Sequence, residues 1–368
     1  MKKIYLHIGM PKCASSAIQE TLSSATFADN NQKILYVSIE KDGTLLYGKR
    51  LIESAKKSPL EYSSTVAIQN LLKLPDNIIK ELYSQLKQLS KKHDTIIISN
   101  EGFGVYPAEV NDFFSKLFCD NFFNIEIIAI IRSQVAWFNS AWWQWGVWTG
   151  HSIEEWINHT LQNNEANWYK KITKYKHFDW VKKVHTFILD KNIIENFLNT
   201  IGSKPLPVSK ANTTSDLLLI KFLYHNRKYR KDAHHPQYEF ILAKNLIFNP
   251  QTKPCALDKN HIKKIIDFYQ RDNMNLVKYL DDQEKEKLIK TNYFSTLDNI
   301  CNKVTSLKFT IQDKERFLSI INKVLTKNNV NILKINSYEN EAELDALLTQ
   351  AVDEIIRIDT NKRHQASL

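Results

Sequence analysis

Apolar residues follow two rhythms along the chain. Through the first 190 residues, short β-branched runs at 4–8, 34–39, 95–99, 125–131 and 184–189 alternate with stretches whose apolar residues recur every three to four positions. Several runs are apolar at consecutive positions, the pattern of strands covered on both faces. The stretches between and beside them, 16–25, 77–92, 107–118, 135–148, 153–162 and 167–183, predict helices. Repeated strand-helix-strand order implies an α/β fold on a largely parallel sheet. Asp42-Gly43, after the second run, is a type I′ hairpin signal and predicts a short antiparallel ribbon.

Beyond Gly202 the rhythm becomes helical. Phe317, Leu318, Ile320, Ile321, Val324 and Leu325 trace one stripe, and Leu344, Leu347, Leu348, Val352, Ile355 and Ile356 trace another. Asn340 with Glu343 has the spacing of a capping box at the start of the second. No Gly follows Gly202 and no Pro follows Pro254, so neither breaker interrupts the tail. The expected division is a domain of residues 1–285 and a helical extension of 286–368.

The 368 residues carry 50 Lys plus Arg against 40 Asp plus Glu, a net charge of +10. That excess is local: residues 1–160 are balanced, 161–250 carry +8 and 251–368 carry +2. A uniformly basic nucleic-acid coat is therefore disfavoured, and no recognition motif accompanies the charge. One cationic segment instead points to an acidic ligand. Cys13, Cys119, Cys255 and Cys301 show neither CxxC pairing nor framework density, so no disulfide scaffold or zinc site is expected. A reducing compartment agrees with this. The opening apolar run is too short for a signal or anchor segment, and no later run approaches a membrane span, so the chain is expected to be cytoplasmic.

The most informative stretch is Ile4-Tyr5-Leu6-His7-Ile8-Gly9-Met10-Pro11-Lys12-Cys13-Ala14-Ser15-Ser16. A strand runs into a Gly-Pro turn, then a Lys, two hydroxyls and an amphipathic helix. Unpaired N–H groups and the positive dipole end at a helix N-terminus, with a Lys and two Ser beside them, form a cradle for phosphate or sulfate. A Walker A loop would place its Lys directly before the metal-binding hydroxyl; here Lys12 precedes Cys13 and Ala14. Arg132, not Asp, closes the 125–131 strand. A nucleotide-dependent kinase or phosphotransferase is thus the second reading.

Pro11-Lys12-Cys13-Ala14-Ser15-Ser16 resembles the 5′-phosphosulfate loop of the sulfotransferase superfamily. Two further elements share that resemblance in the same order: Ser99-Asn100-Glu101-Gly102, and Arg132 followed eight residues later by Ser140. The similarity covers about residues 3–280, Asn212-Thr213-Thr214 included. It implies a P-loop-like central parallel sheet flanked by helices, with the C-terminal helical region added to it. It also implies 3′-phosphoadenylyl sulfate (PAPS) as donor, with no metal. Pro11, Lys12, Cys13, Ala14, Ser15 and Ser16 would hold its 5′-phosphate and sulfonate, and Arg132 and Ser140 its 3′-phosphate. Lys12 would neutralise charge on the leaving oxygen. The base that takes the acceptor proton is Glu101 or, competing with it, His7. Ala14 departs from the family's loop glycine: if that position needs a positive φ, Ala is strained there, and a helix-like turn is the alternative.

All eight tryptophans lie between Trp137 and Trp180. They read as core packing against the sheet, or in part as the wall of an acceptor groove. The +8 segment follows, with Lys170, Lys171, Lys174, Lys176, Lys182 and Lys183. The resemblance and this charge together imply a carbohydrate acceptor, acidic or neutral, in a bacterial surface glycan or its precursor. A relative that only binds glycans, without catalysis, is the third reading.

Overall fold

A computed structural model describes residues 2–206, 215–249, 252–295, 304–330 and 338–365. Asn212-Thr213-Thr214 and Cys301 lie outside the described residues. Six strands form one sheet: β1 (Lys2–His7), β2 (Ile34–Ile39), β3 (Leu45–Tyr47), β4 (Thr95–Ser99), β5 (Phe123–Ile131) and β6 (Val181–Ile188). Their order is β3-β2-β4-β1-β5-β6, and every pairing is parallel except β2 with β3. The consecutive apolar runs fall on the central strands. Ile4, Leu6, Ile97, Ile98, Ile127 and Ile128 are all fully buried, as strands covered on both faces require.

The ribbon after β2 forms, but its turn is not type I′. Asp42 does not share the positive φ of Gly43, and the Gly43 N–H bonds the Glu40 carbonyl at 3.1 Å while Glu40 N–H reaches Thr44 at 2.9 Å. Three residues, Lys41 to Gly43, make the turn, with glycine alone left-handed. The 167–183 stretch likewise divides. Its helix is Trp168–Lys176, and β6 begins at Val181, so Lys182 and Lys183 are exposed strand residues. The β-branched run of β6 extends further toward its N-terminus than its apolar residues show.

Two compact units interleave along the chain. The first comprises Met1–Trp137, Thr160–Asn212 and Ile262–Asp298; the second comprises Phe138–His159, Thr213–His261 and Asn299–Leu368. Residues 285 and 286 lie inside helix Asp282–Lys290 of the first unit, where Glu284 accepts the Ile188 N–H at 2.6 Å at the end of β6. In the second unit, helix Ile311–Lys327 packs on helix Glu341–Gln365 through the two apolar stripes. Thr310 and Asp313 close a capping box on the former, and the Asn340 side chain accepts the Glu343 N–H of the latter at 3.1 Å. Trp142 and Trp156 meet edge to face there, and Trp137 and Trp168 do so in the first unit.

Cys255 is disulfide-bonded, while Cys13 and Cys119 are free. Four cysteines without CxxC spacing or framework density carry no signal for a disulfide at Cys255. No helix among the described residues is long and apolar enough to cross a membrane.

Candidate functional site

Strand order brings the three sequence motifs together. β1 lies between β4 and β5, paired in parallel with both, so the segments after all three strands leave from one edge of the sheet. Lys12 follows β1, Glu101 follows β4 and Arg132 follows β5. The carboxyl edge of a parallel sheet, where connections part to either side, is where ligands bind in open α/β folds.

The loop between β1 and helix Ser15–Leu22 is held at several points. Trp137 Nε1 donates to the Pro11 carbonyl at 2.8 Å, and Arg132 Nη1 donates to the Lys12 carbonyl at 3.0 Å. Trp168 Nε1 in turn holds the Arg132 carbonyl at 2.7 Å. The Cys13 N–H closes a turn onto the Met10 carbonyl at 3.1 Å. Within this frame Lys12 has φ 61° and Ala14 has φ 67°, both left-handed. Ala14 therefore adopts the strained conformation; the helix-like turn does not form, because the clamps on residues 11 and 12 fix the backbone entering the helix. Alternation into left-handed φ turns successive N–H groups inward, the geometry of an anion nest. Helix Ser15–Leu22 has no side-chain cap, so its first N–H groups remain available.

Close approach also requires Gly9. A Cβ there would lie 2.3 Å from Ser15 Oγ and 3.1 Å from the Glu101 Cα. The loop, the helix start and the Glu101 turn thus touch through a residue without a side chain.

Charge converges on the same place. Burial pushes the Cys13 thiol up to about 12, and Arg132, Glu101, Lys171 and Lys12 all act on it electrostatically. Burial raises the Glu101 carboxyl, while the Lys12 ammonium and backbone N–H pull it back. Burial lowers the Arg132 guanidinium, whose Nε is buried without a hydrogen-bond partner. Lys171 is lowered to about 8, again by burial, against the opposing pull of Glu165. Three cations and one carboxylate therefore act on Cys13 beside an uncapped helix start, which makes the site electropositive and partly dehydrated. An oxyanion would take the nest, with Arg132 Nε among the donors it could satisfy.

The remaining expected residues divide by access. Ser15 is buried, with Oγ 3.4 Å from the Met10 carbonyl, and Ser16 Oγ lies 3.5 Å from the Tyr62 hydroxyl. His7 is fully buried; its Nδ1 meets Ser99 Oγ at 2.8 Å, Gln19 holds the same hydroxyl at 3.1 Å, and burial lowers the ring to about 3. Ser140, also buried, belongs to the second unit. In the sequence Lys171 is one lysine among several in the cationic segment. Its helix face points it at the loop, and no motif spacing marks it.

No family model, curated protein or solved structure matches the chain. Among the described residues, no group of three or more His, Cys, Asp or Glu is placed to hold a metal ion.

Proposed function

We propose that the chain transfers a sulfuryl group from PAPS to a hydroxyl of a saccharide. The supporting observation is the convergence of Lys12, Glu101 and Arg132 on one nest after three adjacent parallel strands. On this reading the sheet and first loop are P-loop-like. The loop N–H groups, Ser15 and Ser16 hold the donor's 5′ end, and Arg132 its 3′-phosphate. An acceptor oxygen attacks sulfur as the bond to the phosphate oxygen breaks; Lys12 neutralises the charge left on that oxygen. Glu101 takes the acceptor proton. It is favoured over His7 because it borders the nest with its carboxyl pKa raised toward the range useful to a base, whereas His7 is sealed in the core.

Labelled donor incubated with a panel of glycans tests this. Label should pass to saccharide with the wild type and not with Lys12→Ala or Glu101→Gln. Transfer of label to no glycan, together with phosphate transfer from ATP, would favour the kinase reading instead.

A further inference from the structure

Helix Trp168–Lys176 borders two features along its length. Lys171 acts on the loop at Cys13, and one turn further on Thr173 and Lys174 line a cleft of about 620 Å³ in the same unit. That volume suits one or two sugar rings. The Tyr169 and Tyr279 rings border it edge to face, 5.7 Å apart, and the Lys176 ammonium sits 4.9 Å above Tyr279.

Its polar groups are placed in specific orientations. Asn111 Oδ1 accepts the Trp180 Nε1–H at 2.9 Å, which leaves the Asn111 amino group as the free donor. His177 Nδ1 donates to the Thr173 carbonyl at 2.6 Å and leaves Nε2 for a ligand. Lys174 and Asp112, also in the lining, enter no ion pair among the described residues. Flat aromatic faces surrounded by both donors and acceptors match a ring whose hydroxyls each donate and accept. A purely apolar ligand would leave those polar groups unmatched. Lys174 and Lys176 outweigh Asp112, which favours a ring carrying a carboxylate or sulfate.

We propose that this cleft binds a negatively charged pyranose, and that it selects the acceptor class by holding a sugar next to the one that is modified. The acceptor role rests on the sulfotransferase reading; the ligand class rests on the cleft alone. Calorimetric titration with hyaluronan and oligogalacturonate tetrasaccharides, against neutral maltotetraose, tests it. At least one charged tetrasaccharide should bind more tightly than maltotetraose. Tyr279→Ala should weaken that binding about tenfold, and Lys174→Glu, an exposed change that spares the core, should remove the preference for charge. Both variants should keep wild-type affinity for adenosine 3′,5′-bisphosphate. Failure of both charged saccharides to bind, or unchanged binding in both variants, would overturn the proposal. Saccharide effects as expected, without any binding of adenosine 3′,5′-bisphosphate by the wild type, would uphold the cleft and sink the donor reading.

Discussion

Replacing Ala14 by glycine should stabilise the protein, opposite to the effect of the same change inside a helix. Ala14 is the N-cap of helix Ser15–Leu22 with φ 67° and ψ 14°, a left-handed conformation that costs a residue with a Cβ on the order of 1 kcal/mol. Glycine removes that cost and is also the better N-cap of the two. Against this, glycine adds unfolded-chain entropy, about 0.4–1 kcal/mol. The balance is a stabilisation of about 0.5 kcal/mol, or roughly 1–2 °C in Tm for a unit of this size. Thermal and urea denaturation followed by circular dichroism would measure it. Had the loop entered the helix through an ordinary right-handed turn, glycine would instead cost about 0.5–1 kcal/mol. The sign alone decides, and a lowered Tm for Ala14→Gly would refute the strained-loop geometry.

Other substitutions probe the remaining parts. Gly9→Ala forces a Cβ against Ser15 and the Glu101 backbone, so it should cost about 1–3 kcal/mol and weaken binding of adenosine 3′,5′-bisphosphate; Gly202→Ala, with φ +74° in open space, should cost about 1 kcal/mol and leave that binding intact. Glu101→Gln removes a carboxylate whose pKa burial has raised, so its ionised form is penalised in the folded state. Glu101→Gln should therefore raise Tm at pH 7, and the gain should fade as pH falls below the ordinary carboxyl value of 4.5. Sulfuryl transfer in the same variant should drop by about 10²–10⁴-fold. Lys171, lowered to about 8, is charged below that pH, where the cost of burying its charge is fully present and anions gain its attraction. Anion affinity should thus decline from pH 7 to 9, and calorimetry on Lys171→Gln should show a flatter profile.

The alternation of apolar runs identified the five long strands and most helices because buried parallel strands carry their signal in consecutive Ile and Val. Short elements were less legible. β3, with three residues, was signalled only by Asp42-Gly43, and helix Gly48–Lys57 buries only Leu51 and Ala55, too few apolar positions to set a period. Lys182 and Lys183 misled because exposed lysines at the start of β6 continue a helical charge pattern. At the site, Glu101 and Arg132 were named through the sulfotransferase resemblance, and the strand order puts the segments that carry them beside the Lys12 loop at one edge of the sheet. Lys171 could not be named from sequence, because only the packing of its helix against β5 and β6 aims it there. The left-handed Ala14 was legible only as one of two alternatives, and what decides between them, the clamps by Trp137 and Arg132, lies more than a hundred residues away in the chain.

Titration calorimetry with adenosine 3′,5′-bisphosphate, in EDTA, tests the donor site most directly. The account predicts saturable binding without metal, weakened by about 10–100-fold in Lys12→Ala and Arg132→Ala, the usual loss when a charge-assisted contact to phosphate is removed. Absence of binding by the wild type, or equal affinity in wild type and Arg132→Ala, would contradict it.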